Sequence, residues 1–354
     1  MKSRSYSGLA LEVLHVKRIK ILCIAAAIVV MAFSSCSKEM AGPDRLSVAV
    51  FVPGVASGSP IYEMLVSGAQ KAVAEKPGAS VKVIEGGYDQ STWLDNLRDI
   101  AASGEFGLVV TSNPALPELC AKVATDYPEI RFFVADAYLI DHPSIHTVLY
   151  NQMEQGYIVG YLAGLVTRNA APAGPLVAGL VAAQRYPTLD RLIQPGFEAG
   201  LKAVDPSFRL DYREIGNWYD ANKSAELARS IYDAGARVIL PIAGGAGQGV
   251  VSVAMELGRQ VVWFDGAGYQ LAPDAVIGCA TVAQDKLVYE RVKAILDGGK
   301  PFGTADIVGA ADGYVGFDPD GPAYRSLSPE IRAAFEKALA DLRKGTPDFT
   351  LTSF

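Results

Sequence analysis

The chain alternates between two kinds of apolar pattern from residue 46 onward. Short apolar runs such as 46–52, which is rich in valine, are typical of strands buried on both faces. Longer stretches follow, in which apolar residues recur every three or four positions, as in amphipathic helices. Ser59 and Pro60 mark the first helix start, because proline is tolerated in the first helical turn. This alternation predicts parallel sheets flanked by helices.

The same rhythm restarts at residue 151, so the pattern predicts two α/β lobes with a ligand cleft between them. Strands are predicted at 46–52, 81–86, 108–112, 130–136, 146–150, 176–182, 208–214, 237–243, 260–265, 275–281 and 313–317. We expect the first lobe to comprise 46–150 plus about 280–316. The second lobe would comprise 151–279 plus about 317–354.

The first 35 residues read as a signal peptide. Five basic residues and one acidic residue precede an apolar run at 21–33, which is shorter than the roughly 20 residues of a membrane-spanning helix. Small residues then lead to Cys36, as in a bacterial lipobox. We therefore expect lipidation at Cys36, followed by a polar tether over 36–45. The alternative is an ordinary signal peptide with a chance cysteine.

Composition narrows the possible functions. The chain has 354 residues and a net charge of −6, so it offers no basic surface for nucleic acid. Four cysteines and three histidines argue against a disulfide scaffold or a zinc cluster. His142 and His146 have no accompanying nucleophile motif, so we expect no enzyme. We expect no metal site and no cofactor.

The loops that follow the predicted strands carry the candidate chemistry, because ligands in open α/β sheets bind beyond the carboxyl ends of strands. These loops are rich in aromatic rings, amides, glycines and single carboxylates, including Asp136 and Asp265. Such groups suit a flat, uncharged, polar ligand. The glycine-rich stretch 244–249 matches no phosphate-binding motif. A tight turn or a close backbone approach to a ligand is the favoured interpretation, with phosphate binding as the alternative.

Several longer stretches resemble one family. They are Asn151 to Gly164, Gln194 to Gly200, Trp218-Tyr219-Asp220, 232–236, 243–249 and Trp263-Phe264-Asp265. Together they resemble the basic-membrane-protein family, also called PnrA-like, over about 46–350. The resemblance implies a periplasmic-binding-protein-like fold and a lipoprotein that captures a solute for the permease and ATPase of an ABC importer. It places Asp265 against the hydroxyls of the ligand.

The first post-strand loop departs from the nucleoside-binding branch of that family. The branch has Asp and Asn there, whereas this chain has Ser59, Pro60 and Tyr62. A lysine of that branch is replaced in the region of Gln284. Because the polyol contact is kept while the base-reading end has changed, the resemblance points to riboflavin. The segment around Tyr62 also resembles the spirochaete riboflavin-uptake lipoproteins. A purine nucleoside is the alternative ligand.

The candidate site follows from the loops and the resemblance together. Tyr62 and either Trp218 or Tyr219 would stack on the ligand ring, and Asp265 would accept from hydroxyls. Asn113, Asn151, Gln152 and Gln284 would be hydrogen-bonding partners for the edges of the ligand. The remaining candidates are Ser59 and Gly244.

Closure of the lobes would bend the crossings near 149–152, 278–284 and 316–320, as in other hinged binding proteins. We expect a monomer that faces the periplasm or the cell exterior. A nucleoside-processing enzyme and a surface lipoprotein without a ligand are the alternatives from other functional classes.

Overall fold

The computed structural model describes residues 46–170 and 173–354, and strand and helix alternate through both stretches. Six parallel strands form the first sheet, in the order β11-β5-β4-β3-β1-β2. Their bounds are β1 Ser47–Val52, β2 Ser80–Glu85, β3 Leu108–Ser112, β4 Arg131–Ala135, β5 Ile145–Tyr150 and β11 Ala305–Val308. The buried valines of β1 and β3 explain why these runs form central strands.

The second sheet repeats this arrangement in the order β12-β10-β9-β8-β6-β7. Its strands are β6 Val177–Ala182, β7 Arg209–Glu214, β8 Val238–Ile242, β9 Gln260–Trp263, β10 Val276–Val282 and β12 Val315–Asp318. The strand β12 runs antiparallel to β10, which the expectation of purely parallel sheets did not include. The two α/β sheets flanked by helices confirm the predicted fold class.

Ten helices cover the two sheets in the described residues. The first sheet is flanked by α1 Pro60–Ala74, α2 Trp93–Ala102, α3 Leu116–Asp126 and α8 Gln284–Leu296. The second is flanked by α4 Gln152–Ala170, α5 Gln194–Val204, α6 Ala221–Asp233, α7 Gly247–Leu257, α9 Pro322–Arg325 and α10 Pro329–Leu342. Asp220 caps α6, as its sequence position predicts, by accepting a hydrogen bond from the backbone N–H of Lys223 at 2.9 Å.

The chain crosses between the sheets three times. The first two crossings lie at Asn151 and Ala283, because β10 continues in the second sheet to Val282. The third lies between β11 and β12, over 309–314, and not at 316–320 as expected. The reason is β11, a strand of only four residues that the apolar pattern missed because three of them are only partly buried at the sheet edge. The second lobe therefore takes up the chain again at Val315.

Glycines set the spacing of the main helix pair in the second lobe. A Cβ placed on Gly160 of α4 would lie 2.2 Å from the carbonyl oxygen of Phe197 in α5. The two helices therefore pack backbone to backbone, as the glycine spacing in α4 predicts. Cys120 and Cys279 are free and buried, which agrees with two inert thiols. None of the helices in 46–170 or 173–354 is long and apolar enough to cross a membrane. The predicted signal peptide, Cys36 and the tether lie outside these residues.

Candidate functional site

Two aspartates occupy matching positions in the two lobes. Asp136 directly follows β4, and Asp265 lies two residues after the end of β9, the strand that holds the equivalent place in the second sheet. Both residues have positive φ angles, 53° and 67°. Non-glycine residues adopt this conformation at a cost that functional sites often carry. The carboxyl ends of the two sheets thus each present one carboxylate.

A single helix start holds both carboxylates. The side-chain Nε2 of Gln152 donates to Oδ1 of Asp136 at 3.0 Å, and Nε2 of Gln155 donates to Oδ1 of Asp265 at 3.0 Å. Gln152 and Gln155 lie three residues apart in α4, so their side chains share one face of the helix. Because α4 begins directly after the first crossing, the helix start links the two lobes at the site.

Burial dominates the electrostatics of this pair. It raises the pKa of Asp265 to about 6, against a smaller lowering by the Gln155 hydrogen bond. Burial also raises the pKa of Asp136 well above its usual range, and the negative charge of Asp265 raises it further. Both residues nevertheless remain partly accessible to solvent. A ligand can therefore reach two acidic groups that hold protons unusually well.

The first lobe contributes Tyr62, whose ring packs against the backbone of the loop after β1. A Cβ on Gly54 would lie 3.0 Å from Cε2 of Tyr62 and 3.4 Å from Cε1 of Tyr88, so both rings pack against the loop after β1. Burial raises the pKa of Tyr62 to about 12, and the Asn113 amide, which hydrogen-bonds the phenol, lowers it slightly. Tyr62, Asn113 and Asp136 therefore lie together, and Tyr62 stays a neutral hydrogen-bonding phenol.

The second lobe contributes an indole. The ring centroid of Trp218 lies 6.0 Å from that of Tyr186, and a Cβ on Gly244 would lie 3.4 Å from Cε3 of Trp218. Burial raises the pKa of Tyr186, and the charges of Asp265 and Asp136 raise it further. Trp218 is 37% exposed and Tyr219 is 81% exposed. Of the two alternatives for stacking, Trp218 packs beside Tyr186 and Gly244, whereas Tyr219 faces solvent.

The lobes touch where the loops after β1 and β9 meet. A Cβ on Gly266 would lie 3.3 Å from the Cβ of Pro60. Pro60 is the first residue of α1, and the preceding Ser59 makes no side-chain capping bond to that helix. The hydroxyl of Ser59 therefore lies at the seam between the lobes without being used by the helix.

Two of the predicted site residues, Asn151 and Gln284, form hydrogen bonds within the protein instead. Nδ2 of Asn151 donates to the carbonyl oxygen of Phe349 at 2.9 Å. Gln284 has no exposed surface; its Nε2 donates to the carbonyl oxygen of Ile61 at 2.6 Å, and its Oε1 accepts from Ser112 Oγ at 3.0 Å. Both amides are committed to protein partners, so their expected role as ligand-edge partners is not supported by this arrangement.

The sequence assigns no ligand-binding role to three residues at the site: Asp136, Gln155 and Tyr186. The loop pattern includes Asp136 only as one of the post-strand carboxylates. The signal that could have found it is its position, directly after the strand equivalent to the one before Asp265. Tyr186 lies in a post-strand loop that the sequence already marked as aromatic. Gln155 carries no signal of its own, because its role depends on the face it shares with Gln152. Among the described residues, no cluster of His, Cys, Asp or Glu could hold a metal ion.

This two-lobed architecture defines a class of protein. A solute-binding protein of an ABC transporter system from Aeropyrum pernix has the same fold, with a TM-score of 0.73 and 20% identity, covering 86% of this chain and 93% of its own. The sequence pattern of the PnrA-like ABC transporter substrate-binding proteins, the Bmp family, matches residues 45–342. The chain belongs to this family, and the predicted resemblance is confirmed at that level.

Characterised relatives are distant. A CD4+ T-cell-stimulating antigen of Listeria monocytogenes is 28% identical over 170 residues, and the match covers 47% of this chain and about half (46%) of that protein. A nucleoside-binding protein of an ABC transporter from Lactococcus lactis is 25% identical over 143 residues, covering 40% of this chain and 39% of its own. A purine-binding protein of Brucella abortus is 23% identical over 220 residues and covers 59% of each chain.

Proposed function

We propose that this protein is the lipid-anchored solute-capturing component of an ABC importer, and that it closes its lobes on a small hydroxylated aromatic molecule, with riboflavin as the ligand. The observation that carries this proposal is the pair of carboxyl groups, Asp136 and Asp265, which two glutamines of one helix start hold at the ends of β4 and β9. A carboxylate accepts from hydroxyl groups, and rings supply flat apolar surface. No chemical step follows from closure, since the bound solute is handed to the permease unchanged.

The two rings differ in a way that suits a wide ligand. Tyr62 is packed against Gly54 in the first lobe, whereas Trp218 retains about a third of its surface in the second. A ligand ring between them would cover the exposed part of Trp218. The isoalloxazine of riboflavin offers a large stacking surface, and its ribityl chain offers hydroxyls for Asp265.

A purine nucleoside is the second candidate, and the names of the Lactococcus and Brucella relatives favour it. A ribose would use Asp265 in the same way as a ribityl chain. The two ligands differ mainly in the ring that must fit beside Tyr62. The first loop, with Ser59 and Pro60 at its end, offers a purine edge neither a carboxylate nor a carboxamide.

The first experiment is a visible absorbance spectrum of the purified protein, with any released ligand identified by mass. A yellow protein that releases riboflavin supports the proposal. A colourless protein is titrated with riboflavin and with guanosine while tryptophan fluorescence is followed. If guanosine alone binds, the ligand is the nucleoside and not riboflavin. If neither binds, both are excluded as ligands.

Residue roles are tested with two substitutions of the same kind. Tyr62→Ala removes the ring beside Gly54, and one stacked ring contributes about 1–3 kcal/mol in other sites. Tyr219→Ala removes a ring that faces solvent and serves as the matched control. Equal affinity of the Tyr62→Ala variant and the unchanged protein would remove Tyr62 from the site.

A further inference from the structure

The acidic pair at the ends of β4 and β9 has a charge balance that the proposed function leaves unexplained. Among the described residues, no lysine or arginine nitrogen lies within 4.0 Å of a carboxylate oxygen of Asp136 or Asp265. The groups whose charges act on the pair and its neighbours are other acids and tyrosines. The site thus brings two carboxyl groups together without a protein cation beside them.

Geometry keeps the two carboxylates within reach of one ligand. Each accepts one hydrogen bond, from Gln152 and Gln155 respectively. Side chains three residues apart on a helix have Cβ atoms about 5–6 Å apart. Two carboxylates held by such neighbours can contact the same small molecule, and their charges repel each other across a poorly solvated space.

One buried acceptor beside the pair lacks a donor. Oε1 of Gln155 is buried and has no hydrogen-bond partner, and the residue has no exposed surface. Its Nε2 is directed to Asp265, so the amide leaves an acceptor unpaired next to the carboxylates. An unpaired buried acceptor costs about 1–3 kcal/mol. A donor supplied from outside the protein would remove this cost, and the carboxylates would attract a positively charged one.

We propose that Asp136 and Asp265 act as one recognition unit that selects aromatic ligands carrying a positive charge over their neutral counterparts and rejects anionic ones. This inference rests on the proposed function, because it concerns the ligand of the same site. The rings of Tyr62 and Trp218 fit this class, since aromatic faces attract cations as well as flat neutral rings. A neutral ligand brings no positive charge to the two carboxylates, so it binds only when the pair takes up one proton.

Other titratable groups around the pair stay neutral or are themselves acidic. The charge of Asp136 acts on Tyr62, and the charges of both aspartates act on Tyr186 and on Tyr150 in β5. Burial raises the pKa of each of these phenols, so they keep their protons. Asp285 acts on Tyr150 from the start of α8. The two carboxyl groups of the pair are therefore the groups that can take up a proton when a neutral ligand binds.

The test compares ligands that differ in charge and follows proton uptake by calorimetry in two buffers with different heats of ionisation. Guanosine is compared, on the acidic side of neutrality, with guanosine methylated on its imidazole ring, which is a cation there because its N1 keeps its proton, and with guanosine monophosphate. Riboflavin is compared with its phosphate. We expect the neutral ligand to bind with proton uptake and to weaken by up to about tenfold per pH unit on the alkaline side of the pair's titration. We expect the cation to bind at least as tightly without uptake, and the phosphates to bind at least about tenfold more weakly.

Asp136→Asn and Asp274→Asn form the matched variants, since Asp274 is exposed. Asp136→Asn should abolish proton uptake by the neutral ligand, and Asp274→Asn should leave it unchanged. Binding of a neutral ligand with no proton uptake at any pH between about 6 and 8 would overturn this inference while the proposed function stands. If neither neutral ligand binds, the proposed function fails. In that case, binding of the methylated cation or of thiamine, a hydroxylated aromatic cation, would still support cation selection by the acidic pair. If neither cation binds, the inference about the acidic pair is overturned as well.

Discussion

The two lobes share one architecture but bring different side chains to the cleft. In each lobe an aspartate with a positive φ angle follows the third strand of the sheet, β4 or β9, and a glutamine of α4 donates a hydrogen bond to it. The rings differ: Tyr62 packs against the backbone at Gly54, whereas Trp218 lies over Gly244 with part of its surface open. The shared carboxylates follow from strand order, and the rings are what distinguishes the lobes. We infer that the first lobe is preformed and that the second gains its contacts on closure.

The largest expected effect concerns the helix pair that supports each half of the site. A Cβ on Gly160 would lie 2.2 Å from the Phe197 carbonyl oxygen, and one on Gly68 of α1 would lie 2.4 Å from the Asp285 carbonyl oxygen. Gly160→Val and Gly68→Val should each lower the free energy of unfolding by about 3 kcal/mol, because overpacking here moves backbone. Urea denaturation measures this loss of stability. Ser67→Val, on the exposed side of α1, is the control; equal midpoints for it and Gly68→Val would contradict the close packing.

Closure is the next step at which the lobes can be separated experimentally. Gly266 in the second lobe touches Pro60 in the first, with 3.3 Å between a Cβ at 266 and that of Pro60. Gly266→Leu would place a branched side chain in this seam and hold the lobes apart. We expect ligand affinity to fall by about a hundredfold, equivalent to about 3 kcal/mol, with little change in the unfolding midpoint.

Ala267→Leu provides the control, because Ala267 is exposed and adjacent. Isothermal titration calorimetry gives the affinity, and small-angle X-ray scattering with and without ligand gives the degree of closure. A Gly266→Leu protein that still binds and compacts like the Ala267→Leu protein would show that the lobes close without this contact.

The sequence predicted the fold well because the apolar pattern is strong where strands are buried. The run 108–112 coincides with β3, and 46–52 differs from β1 by one residue. One edge strand escaped prediction: β11 is short and partly exposed, so it lacks a continuous apolar run. Its omission also displaced the third crossing.

The candidate site was predicted less completely, because residue type alone does not show whether a polar group is already paired. Gln284 and Gln152 look alike in sequence. In the structure, the Gln284 amide hydrogen-bonds to the backbone of Ile61 and to the hydroxyl of Ser112. The Gln152 amide instead donates to the carboxylate of Asp136. The matching of Asp136 with Asp265 needed the strand order of both sheets, which a single sequence does not contain.

The difference between the two rings gives a smaller, sharper prediction. Trp218→Ala should weaken ligand binding by about tenfold to a hundredfold, or about 1–3 kcal/mol, and should barely change stability because the ring is partly open. Tyr62→Ala should weaken binding and also lower the free energy of unfolding by about 1–3 kcal/mol, since Gly54 loses its neighbour. Fluorescence titration and urea denaturation measure both. Equal stability losses in the two variants would contradict a preformed first lobe.

The pH dependence of stability should show the smallest effect and should distinguish the carboxylate pair from the remaining ionisable groups. Burial raises the pKa of Asp265 to about 6 and that of Asp136 well above its usual range. An acid whose pKa is higher in the folded state stabilises at low pH, and this stabilisation is lost as pH rises through the folded pKa. The free energy of unfolding should therefore fall by about 1–2 kcal/mol from near pH 5 to pH 8 in the ligand-free protein.

One histidine acts in the opposite direction within this pH range. Burial lowers the pKa of His146, so its contribution to stability rises with pH up to its unfolded value near 6.5. The decisive measurement is therefore a difference between proteins. Asp136→Asn removes one member of the pair and leaves His146 in place, so its stability should fall less between pH 5 and pH 8 than that of the unchanged chain. Parallel stability curves for the two proteins would show that Asp136 is ionised in the folded as well as in the unfolded state across this range, which would contradict its raised pKa.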